Sequence, residues 1–139
     1  MLFRSPLTNV LEVGTGSGYQ TAILSQLADR VFTVERIAGL ATRARKRLGA
    51  MGYRNISFRH SDGGMGWAEK GPFDAIMVTA APLTVPEALL DQLADQGRML
   101  VPVGESGRQD LLMIRKIDGE VQQTRLEPVR FVPLLGGKS

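Results

Sequence analysis

The chain has 139 residues, of which 43% are hydrophobic and 22% charged, with a formal net charge of +3; this balance is typical of one folded domain spanning residues 1–139 and excludes disordered and fibrous classes. The lack of cysteine and the presence of a single histidine, His60, exclude disulfides, thiolate metal sites and cysteine nucleophiles, and argue against any metal centre. No apolar run is long enough for a membrane span or a signal peptide, so we expect a cytoplasmic protein with no membrane partner.

Short apolar runs alternate with helical patterns along most of the chain. This alternation predicts an α/β fold whose mostly parallel sheet is covered by helices on both faces. The expected elements, in chain order within their class, are strands at 10–13, 31–35, 56–60, 73–79 and 99–103, and helices at 20–28, at about 38–51 and from Pro86 onward.

The last part of the chain changes character. Extended segments at 110–116 and 120–132 flank Asp118-Gly119, and an Asp-Gly pair between two such runs is a strong signal for a tight antiparallel hairpin. Upstream of them, Gly97 is expected to end the third helix before the fifth strand begins. We therefore predict a doubly wound sheet that finishes in an antiparallel hairpin.

A glycine turn follows the first strand and opens the first helix. Gly14, Gly16 and Gly18 leave the backbone bare, so a nucleotide-like ligand can approach it closely. Tyr19 stands where a dinucleotide-binding fingerprint has its third glycine, so the match to that fingerprint is incomplete. Glu12, at the end of a core strand, should face a cationic or donating ligand group, because burying it unpaired is costly. S-adenosylmethionine offers an ammonium group where NAD offers a pyrophosphate, so the turn favours S-adenosylmethionine.

Three further polar residues end predicted strands, where ligands bind in open α/β sheets. Glu35 comes roughly twenty residues after the glycine turn, the position of a carboxylate that accepts hydrogen bonds from ribose hydroxyls. Asp62 either accepts a hydrogen bond from an adenine amino group or supports a turn at Gly63. Thr79 either faces the reacting methyl group or simply ends the fourth strand.

Six ordered blocks stand out along the sequence. They are VLEVGTGSGYQTA at 10–22, VER at 34–36, HSDG at 60–63, PFDAI with VTAAP at 72–76 and 78–82, LVPVG at 100–104, and VRFVPL at 129–134. Together these blocks resemble protein-L-isoaspartate O-methyltransferases. The resemblance covers nearly the whole chain from Val10 to Leu135, and several ordered blocks are far more specific than a glycine motif alone.

The resemblance implies a fold, a reaction and partners. The implied fold is a Rossmann-like class I methyltransferase sheet with strand order 3-2-1-4-5-7-6. The implied enzyme uses S-adenosylmethionine, with S-adenosylhomocysteine as product, to methylate the α-carboxylate of L-isoaspartyl residues in damaged proteins. Its partners are isoaspartyl peptides and proteins, with no nucleic acid and no metal.

The resemblance also assigns residues to the two ligands. Thr79 is placed beside the reacting methyl group, as the candidate catalytic residue, and Gln109 is expected near the cofactor. The implied cofactor-binding residues are Glu12, Gly14, Thr15, Gly16, Ser17, Gly18, Glu35, Arg36, Asp62, Gly63 and Thr79. The implied substrate-binding residues are Ala80, Ala81, Pro82, Arg130 and Val132, with Arg130 either an anchor for the carboxylate or a surface residue.

Members of this family carry a further segment before the first strand, with a loop of the Thr-Ile-Ser type that covers the cofactor. We expect this segment and the usual active-site serine to be missing from the chain. Reduced turnover would follow, and the surface left uncovered would be a candidate for self-association.

Other readings of the same residues stay open. The chain could be a methyltransferase acting on RNA or a small molecule, with the basic stretch 43–47 contacting phosphates. Against this, no aromatic motif of the Asn-Pro-Pro-Tyr kind, which would stack a flipped base, follows the fourth strand. That stretch is otherwise the solvated face of a helix that buries Leu40, Ala44 and Leu48. The remaining readings are a nucleotide-dependent oxidoreductase and a core that binds cofactor without turnover.

Overall fold

A computed structural model describes residues 7–139 of the chain. Within these residues seven strands form one sheet, accompanied by three α-helices and two short 3-10 turns at Gly63–Met65 and Ala68–Lys70. The main elements are β1 (Leu7–Val13), α1 (Tyr19–Leu27), β2 (Ala28–Glu35), α2 (Ala38–Ala50), β3 (Ile56–His60), β4 (Phe73–Val78), α3 (Glu87–Gln92), β5 (Leu93–Glu105), β6 (Arg108–Ile117) and β7 (Glu120–Val129).

The sheet order is β3-β2-β1-β4-β5-β6-β7, with the first five strands parallel and β6 and β7 antiparallel to their neighbours. The predicted α/β class, the mostly parallel sheet and the antiparallel end are confirmed. The predicted order 3-2-1-4-5-7-6 is wrong in its last two positions. A short turn at Ser106-Gly107 returns the chain directly onto β5, pairing Glu105 with Arg108, so β6 takes the place beside β5 and β7 becomes the outer edge.

The turn between β6 and β7 is the one that the Asp-Gly pair predicts. Asp118 and Gly119 both have left-handed backbone angles, with φ of 52° and 81°. Two consecutive residues of this kind make a turn whose twist matches that of the flanking strands. The second strand of the hairpin is shorter than predicted, because β7 ends at Val129 and the chain then leaves the sheet.

Gly97 does not end a helix, contrary to the sequence prediction. Helix α3 stops at Gln92, and Gly97 lies inside β5, where the pairing register with β4 shifts. A Cβ atom at this position would stand 2.7 Å from the carbonyl oxygen of Ala94 and 3.1 Å from that of Phe73. Glycine is therefore required here for the close approach of two backbones rather than for a cap.

The core is divided between the two faces of the sheet. One cluster packs α3 against the sheet through Leu89, Ile76 and Phe73, and the other packs α1 through Leu24 against Val10. This is the arrangement expected of a parallel sheet buried on both faces.

Helix α2 carries the basic stretch on its outer side. Ala44 and Leu48 are buried and Arg43, Arg45 and Arg47 are exposed, as the amphipathic interpretation predicts, whereas Leu40 is only half-buried. Among residues 7–139 no helix is both long and apolar enough to cross a membrane.

Candidate functional site

A cleft of about 480 Å³ opens at the carboxyl ends of β1, β2 and β4. Because β1 lies between β2 and β4, this is the switch point where open α/β sheets bind their ligands. The volume falls in the range of pockets that hold small organic molecules. The lining residues are Val13, Gly14, Gly16, Val34, Glu35, Arg36, Ile37, Leu40, Gly63, Thr79, Ala80, Val132, Pro133, Leu134 and Leu135.

The glycine turn forms one wall of the cleft, and its glycines have different reasons to be there. Gly14 has φ of +102°, and a Cβ atom on it would stand 2.1 Å from the Thr79 hydroxyl oxygen. Gly16 has φ of +56°, and a Cβ atom there would meet nothing within 4 Å. Gly14 thus permits contact between β1 and β4, while Gly16 presents bare backbone to open space.

Thr79 ties the end of β4 to the glycine turn. Its amide donates to the Val13 carbonyl at 3.0 Å. Its hydroxyl donates to the carbonyl oxygens of Val13 at 2.8 Å and Gly14 at 3.1 Å. The hydroxyl hydrogen is therefore committed to the main chain, and only the oxygen lone pairs remain for another group.

Glu35 stands at the end of β2 and is only 6% exposed. One carboxylate oxygen accepts the Gly16 amide at 2.9 Å, and the other accepts the Ile37 amide at 3.0 Å. The side chain thereby joins the glycine turn to the start of α2. Each oxygen retains a lone pair beyond the amide it accepts, so the carboxylate can still receive two hydroxyl donors from the cleft.

Glu12 is fully buried beneath the glycine turn and does not line the cleft. One carboxylate oxygen accepts hydrogen bonds from the hydroxyls of Thr21 and Thr33, the latter at 2.7 Å. The other accepts a hydrogen bond from the side-chain amide (Nε2) of Gln20 at 3.0 Å. Burial raises the pKa of this carboxyl above its ordinary value, and the three hydrogen bonds oppose that rise. The chain itself therefore supplies the donors that the sequence argument expected from a ligand.

Asp62 supports a turn, which is one of the two readings left open by the sequence. One oxygen accepts the Gly64 amide at 2.9 Å and so caps the 3-10 turn, and the other accepts the Gly137 amide at 3.1 Å. Gly63 is the residue that reaches the cleft. A Cβ atom on Gly63 would stand 2.4 Å from a Val13 methyl group, so glycine allows this loop to approach β1.

After β7 the chain returns to the residues that follow β4, where Pro133 pairs with Ala81, and completes the cleft. The Ala81 amide donates to the Val132 carbonyl at 2.7 Å, and the Leu134 amide donates to the Ala81 carbonyl at 2.9 Å. The buried side chain of Gln109 accepts from the Phe131 amide and donates to the Phe131 carbonyl. These bonds fix the crossing segment, residues 131–135, of which residues 132–135 line the cleft.

The chain beyond the crossing segment is bound to the ends of β2 and β3. The Ser139 amide donates to the Arg36 carbonyl at 2.6 Å, and the Ser139 carbonyl accepts the Ala38 amide at 2.8 Å. His60 Nε2 lies 2.9 Å from the Arg36 carbonyl and 3.0 Å from that of Ser139. The single histidine is thus part of a backbone junction beside the cleft.

Comparison with known proteins gives the family. The model of the protein-L-isoaspartate(D-aspartate) O-methyltransferase family matches residues 2–139. The chain belongs to this family. Protein-L-isoaspartate O-methyltransferase 1 of Marinobacter nauticus is 58% identical over 128 residues, which are 92% of this chain and 58% of that protein. The chain spans about three fifths of the length of the curated relatives that it matches most strongly.

Solved structures agree with the family assignment. A protein-L-isoaspartate O-methyltransferase superposes with a TM-score of 0.89 at 29% identity, covering 96% of this chain and 44% of that one. A beta-aspartate methyltransferase from Plasmodium falciparum, in complex with S-adenosyl-L-homocysteine, superposes with a TM-score of 0.77 at 28% identity, covering 94% and 67%. The Rossmann-like fold of class I methyltransferases is thus confirmed.

In this member of the isoaspartate methyltransferase family, part of the site expected from the sequence comes together at the cleft. The expected residues that line it are Gly14, Gly16, Glu35, Arg36, Gly63, Thr79, Ala80 and Val132. The expected residues outside its lining are Glu12, Thr15, Ser17, Gly18, Asp62, Ala81, Pro82 and Arg130. Arg130 and Gln109 lie instead in a second cleft of about 570 Å³ between the start of β6 and the end of β7.

Sequence reasoning missed much of the apolar wall. Ile37 and Leu40 line the cleft from the start of α2, and Leu134 and Leu135 line it from the crossing segment. The signal for the first pair is their position two and five residues after Glu35. Nothing local marks the second pair, because their place depends on the contact between Ala81 and the chain beyond β7.

The raised pKa of Glu12 predicts a pH dependence of stability. The folded protein holds the Glu12 proton more tightly than the unfolded chain, whose ordinary value is 4.5. Above that value the folded state binds more protons, so this group's contribution to the free energy of unfolding is full below pH 4.5 and is lost as pH rises through the folded-state pKa. Glu12→Gln removes this pH dependence of the free energy of unfolding. The variant should therefore gain stability relative to wild type as pH rises from 4.5.

Urea unfolding at a series of pH values from 4.5 upward measures the difference. Glu127→Gln, a matched change on the exposed face of β7, should keep the wild-type slope. Parallel curves for Glu12→Gln and wild type would contradict the assignment.

Proposed function

We propose that the cleft binds S-adenosylmethionine and that the chain forms the catalytic core of an enzyme that methylates the α-carboxylate of L-isoaspartyl residues in proteins. One observation carries the proposal. The buried carboxylate of Glu35 borders the cleft beside the bare backbone of Gly16, with two lone pairs still free for hydroxyl donors. Family membership and the S-adenosyl-L-homocysteine complex of a relative support it.

The cleft has the features that an adenosyl group needs. Ile37 and Leu40 offer apolar surface next to Glu35, suited to the faces of a purine. Arg36, which also lines the cleft, has a buried Nε atom without a hydrogen-bond partner within residues 7–139. A donor left unpaired in a buried position is costly, so its place beside the cleft suits a ligand with acceptor atoms.

The proposed contacts combine the lining of the cleft with the roles that the family resemblance implies. Glu35 would accept the two ribose hydroxyls, and the backbone of Gly14 and Gly16 would lie along the amino-acid part of the cofactor. Gly63 would contact the adenine, with Asp62 holding its turn in place. Neither Glu12 nor Thr15 lines the cleft. Glu12 would act from beneath the glycine turn, and Thr15 from within it.

When bound, the cofactor supplies an electrophilic methyl group on a sulfonium centre. The α-carboxylate of the substrate is ionised at neutral pH, so the chain need not provide a base. Its residues contribute position and exclusion of water. Ala80 and Val132 form apolar surface at the end of β4, and the hydrogen bonds of Ala81 keep the crossing segment closed against it.

The substrate side is proposed to extend from the cleft toward β6 and β7. The crossing segment lines the main cleft, and the residues just before it line the second one, which Arg130 shares with Arg108. Both arginines are exposed. We propose that Ala80, Ala81, Pro82 and Val132 contact the isoaspartyl residue itself and that Arg130 contacts the flanking peptide.

A face of α1 supports association with another polypeptide. Tyr19, Ile23 and Leu27 repeat every fourth residue and are 76%, 42% and 36% exposed, so they form an apolar stripe on one side of the helix. We propose self-association through this stripe. We also propose a cytoplasmic location and no nucleic-acid partner, for the reasons drawn from the sequence.

The cofactor assignment predicts the effect of Glu35→Gln. The variant loses one acceptor and gains donors that face backbone amides, so S-adenosylhomocysteine should bind at least about ten-fold more weakly. Calorimetric titration measures this, with thermal unfolding to confirm that the variant folds. Glu120→Gln, in the exposed hairpin, should bind as wild type does. Binding of NAD in place of S-adenosylhomocysteine would contradict the proposal.

The substrate assignment predicts selective methyl transfer. With labelled S-adenosylmethionine, an isoaspartyl peptide should be methylated and the matching aspartyl peptide should not. Arg130→Ala should raise the KM for the peptide and leave the affinity for S-adenosylhomocysteine unchanged. If S-adenosylhomocysteine binds and neither peptide is methylated, the chain binds cofactor without turnover.

A further inference from the structure

A chain of buried hydroxyl groups connects Glu12 to the glycine turn. Thr33 lies on β2 directly opposite Glu12 in the parallel register, and both are fully buried. The Thr33 hydroxyl is 2.7 Å from Glu12 and 2.6 Å from the hydroxyl of Thr15, which is 5% exposed. Three side chains from β1, β2 and the turn therefore form one continuous contact.

The direction of these hydrogen bonds follows from the chemistry of the groups. Thr33 donates its one hydroxyl hydrogen to a carboxylate oxygen of Glu12. Thr33 then has no hydrogen left for Thr15, and Thr15 must be the donor of the second bond. The order of donation is Thr15 to Thr33 to Glu12, with the carboxyl group at the buried end.

This arrangement fixes the part of the turn that faces the cleft. Thr15 stands between Gly14 and Gly16, and its side chain is drawn inward by Thr33 while its carbonyl accepts the Gly18 amide at 3.0 Å. Both the hydroxyl and the carbonyl of Thr15 are hydrogen-bonded, and the next amide along the chain, that of Gly16, donates to Glu35. The chain of hydroxyls thus orients backbone that it does not itself expose.

We propose that Thr33 is a positioning residue for the cofactor: through Thr15 it anchors the glycine turn to Glu12 without contacting the ligand. The inference rests on the proposed function of the cleft. It assigns a role in the site to a strand residue that neither lines the cleft nor belongs to the glycine turn.

Two substitutions separate this role from simple packing. Thr33→Val keeps the β-branched shape that suits a strand, but it leaves the Thr15 hydroxyl without an acceptor and Glu12 with one donor fewer. Thr33→Ser keeps the hydroxyl and loses a methyl group from the packed interior. If packing alone matters, serine is the more harmful change; if the hydroxyl matters, valine is.

The experiment measures affinity for S-adenosylhomocysteine by calorimetry and, in the ligand-free protein, the hydrogen-exchange rate of the Gly16 amide. Thr33→Val should raise the Kd about ten-fold and speed exchange at Gly16. Thr33→Ser should stay within about two-fold of wild type in Kd, even where its thermal stability is lower. Thr124→Val, on the exposed strand β7, is the matched control and should change neither quantity.

A second variant tests the same contact from its other end and serves if Thr33→Val does not fold. Thr15→Val should also raise the Kd and speed exchange at Gly16, and the losses in the double variant should be those of Thr33→Val alone, because Thr33→Val already removes the acceptor of the Thr15 hydroxyl. Wild-type behaviour of both valine variants, additive losses in the double variant, or an equal loss in Thr33→Ser would overturn the inference. If wild type fails to bind S-adenosylhomocysteine, the proposed function fails, whereas the Gly16 exchange rates still decide whether the hydroxyls anchor the turn.

Discussion

The carboxylate of Glu12, buried at the end of β1, is the constraint on which the rest of the site depends. A charge removed from water must be paired or hydrogen-bonded, and here all its partners are side chains of the chain itself. Gln20 and Thr21 bring the first turn of α1 to it, and Thr33 brings β2. The first helix, the second strand and the glycine turn are therefore arranged around one carboxylate, which does not line the cleft.

Glu35 performs the complementary task at the surface of the same turn. Its carboxylate accepts hydrogen bonds from the Gly16 amide in the glycine turn and from the Ile37 amide at the start of α2. The glycine turn and the start of α2 are thereby tied to each other at the cleft. The two acids have different positions: Glu12 holds the turn from the interior, and Glu35 lines the cleft, where we propose that it binds the cofactor. Family membership explains why such a site belongs here, and the geometry explains how its parts are kept in place.

The sequence predicts the parallel half of the fold well because its signals are local. Apolar runs, the glycine turn and the Asp118-Gly119 hairpin each depend on a few adjacent residues. The order of the last two strands was wrong because a hairpin can add to an edge with either strand inward, and the tight return at Ser106-Gly107 decides it. In the same way, the partners of Glu12 lie up to 21 residues away, and the crossing segment depends on contacts between Ala81 and the chain beyond β7. These long-range pairings have no local signature in the residues themselves.

Hydrogen exchange on addition of S-adenosylhomocysteine tests the central claim, that this cleft is the cofactor site, most directly. The account predicts slower exchange at residues 14–18, at 35–37 and at Gly63, the backbone that borders the cleft. Unchanged exchange at these residues, or protection confined to the second cleft at 107–110 and 128–130, would contradict it.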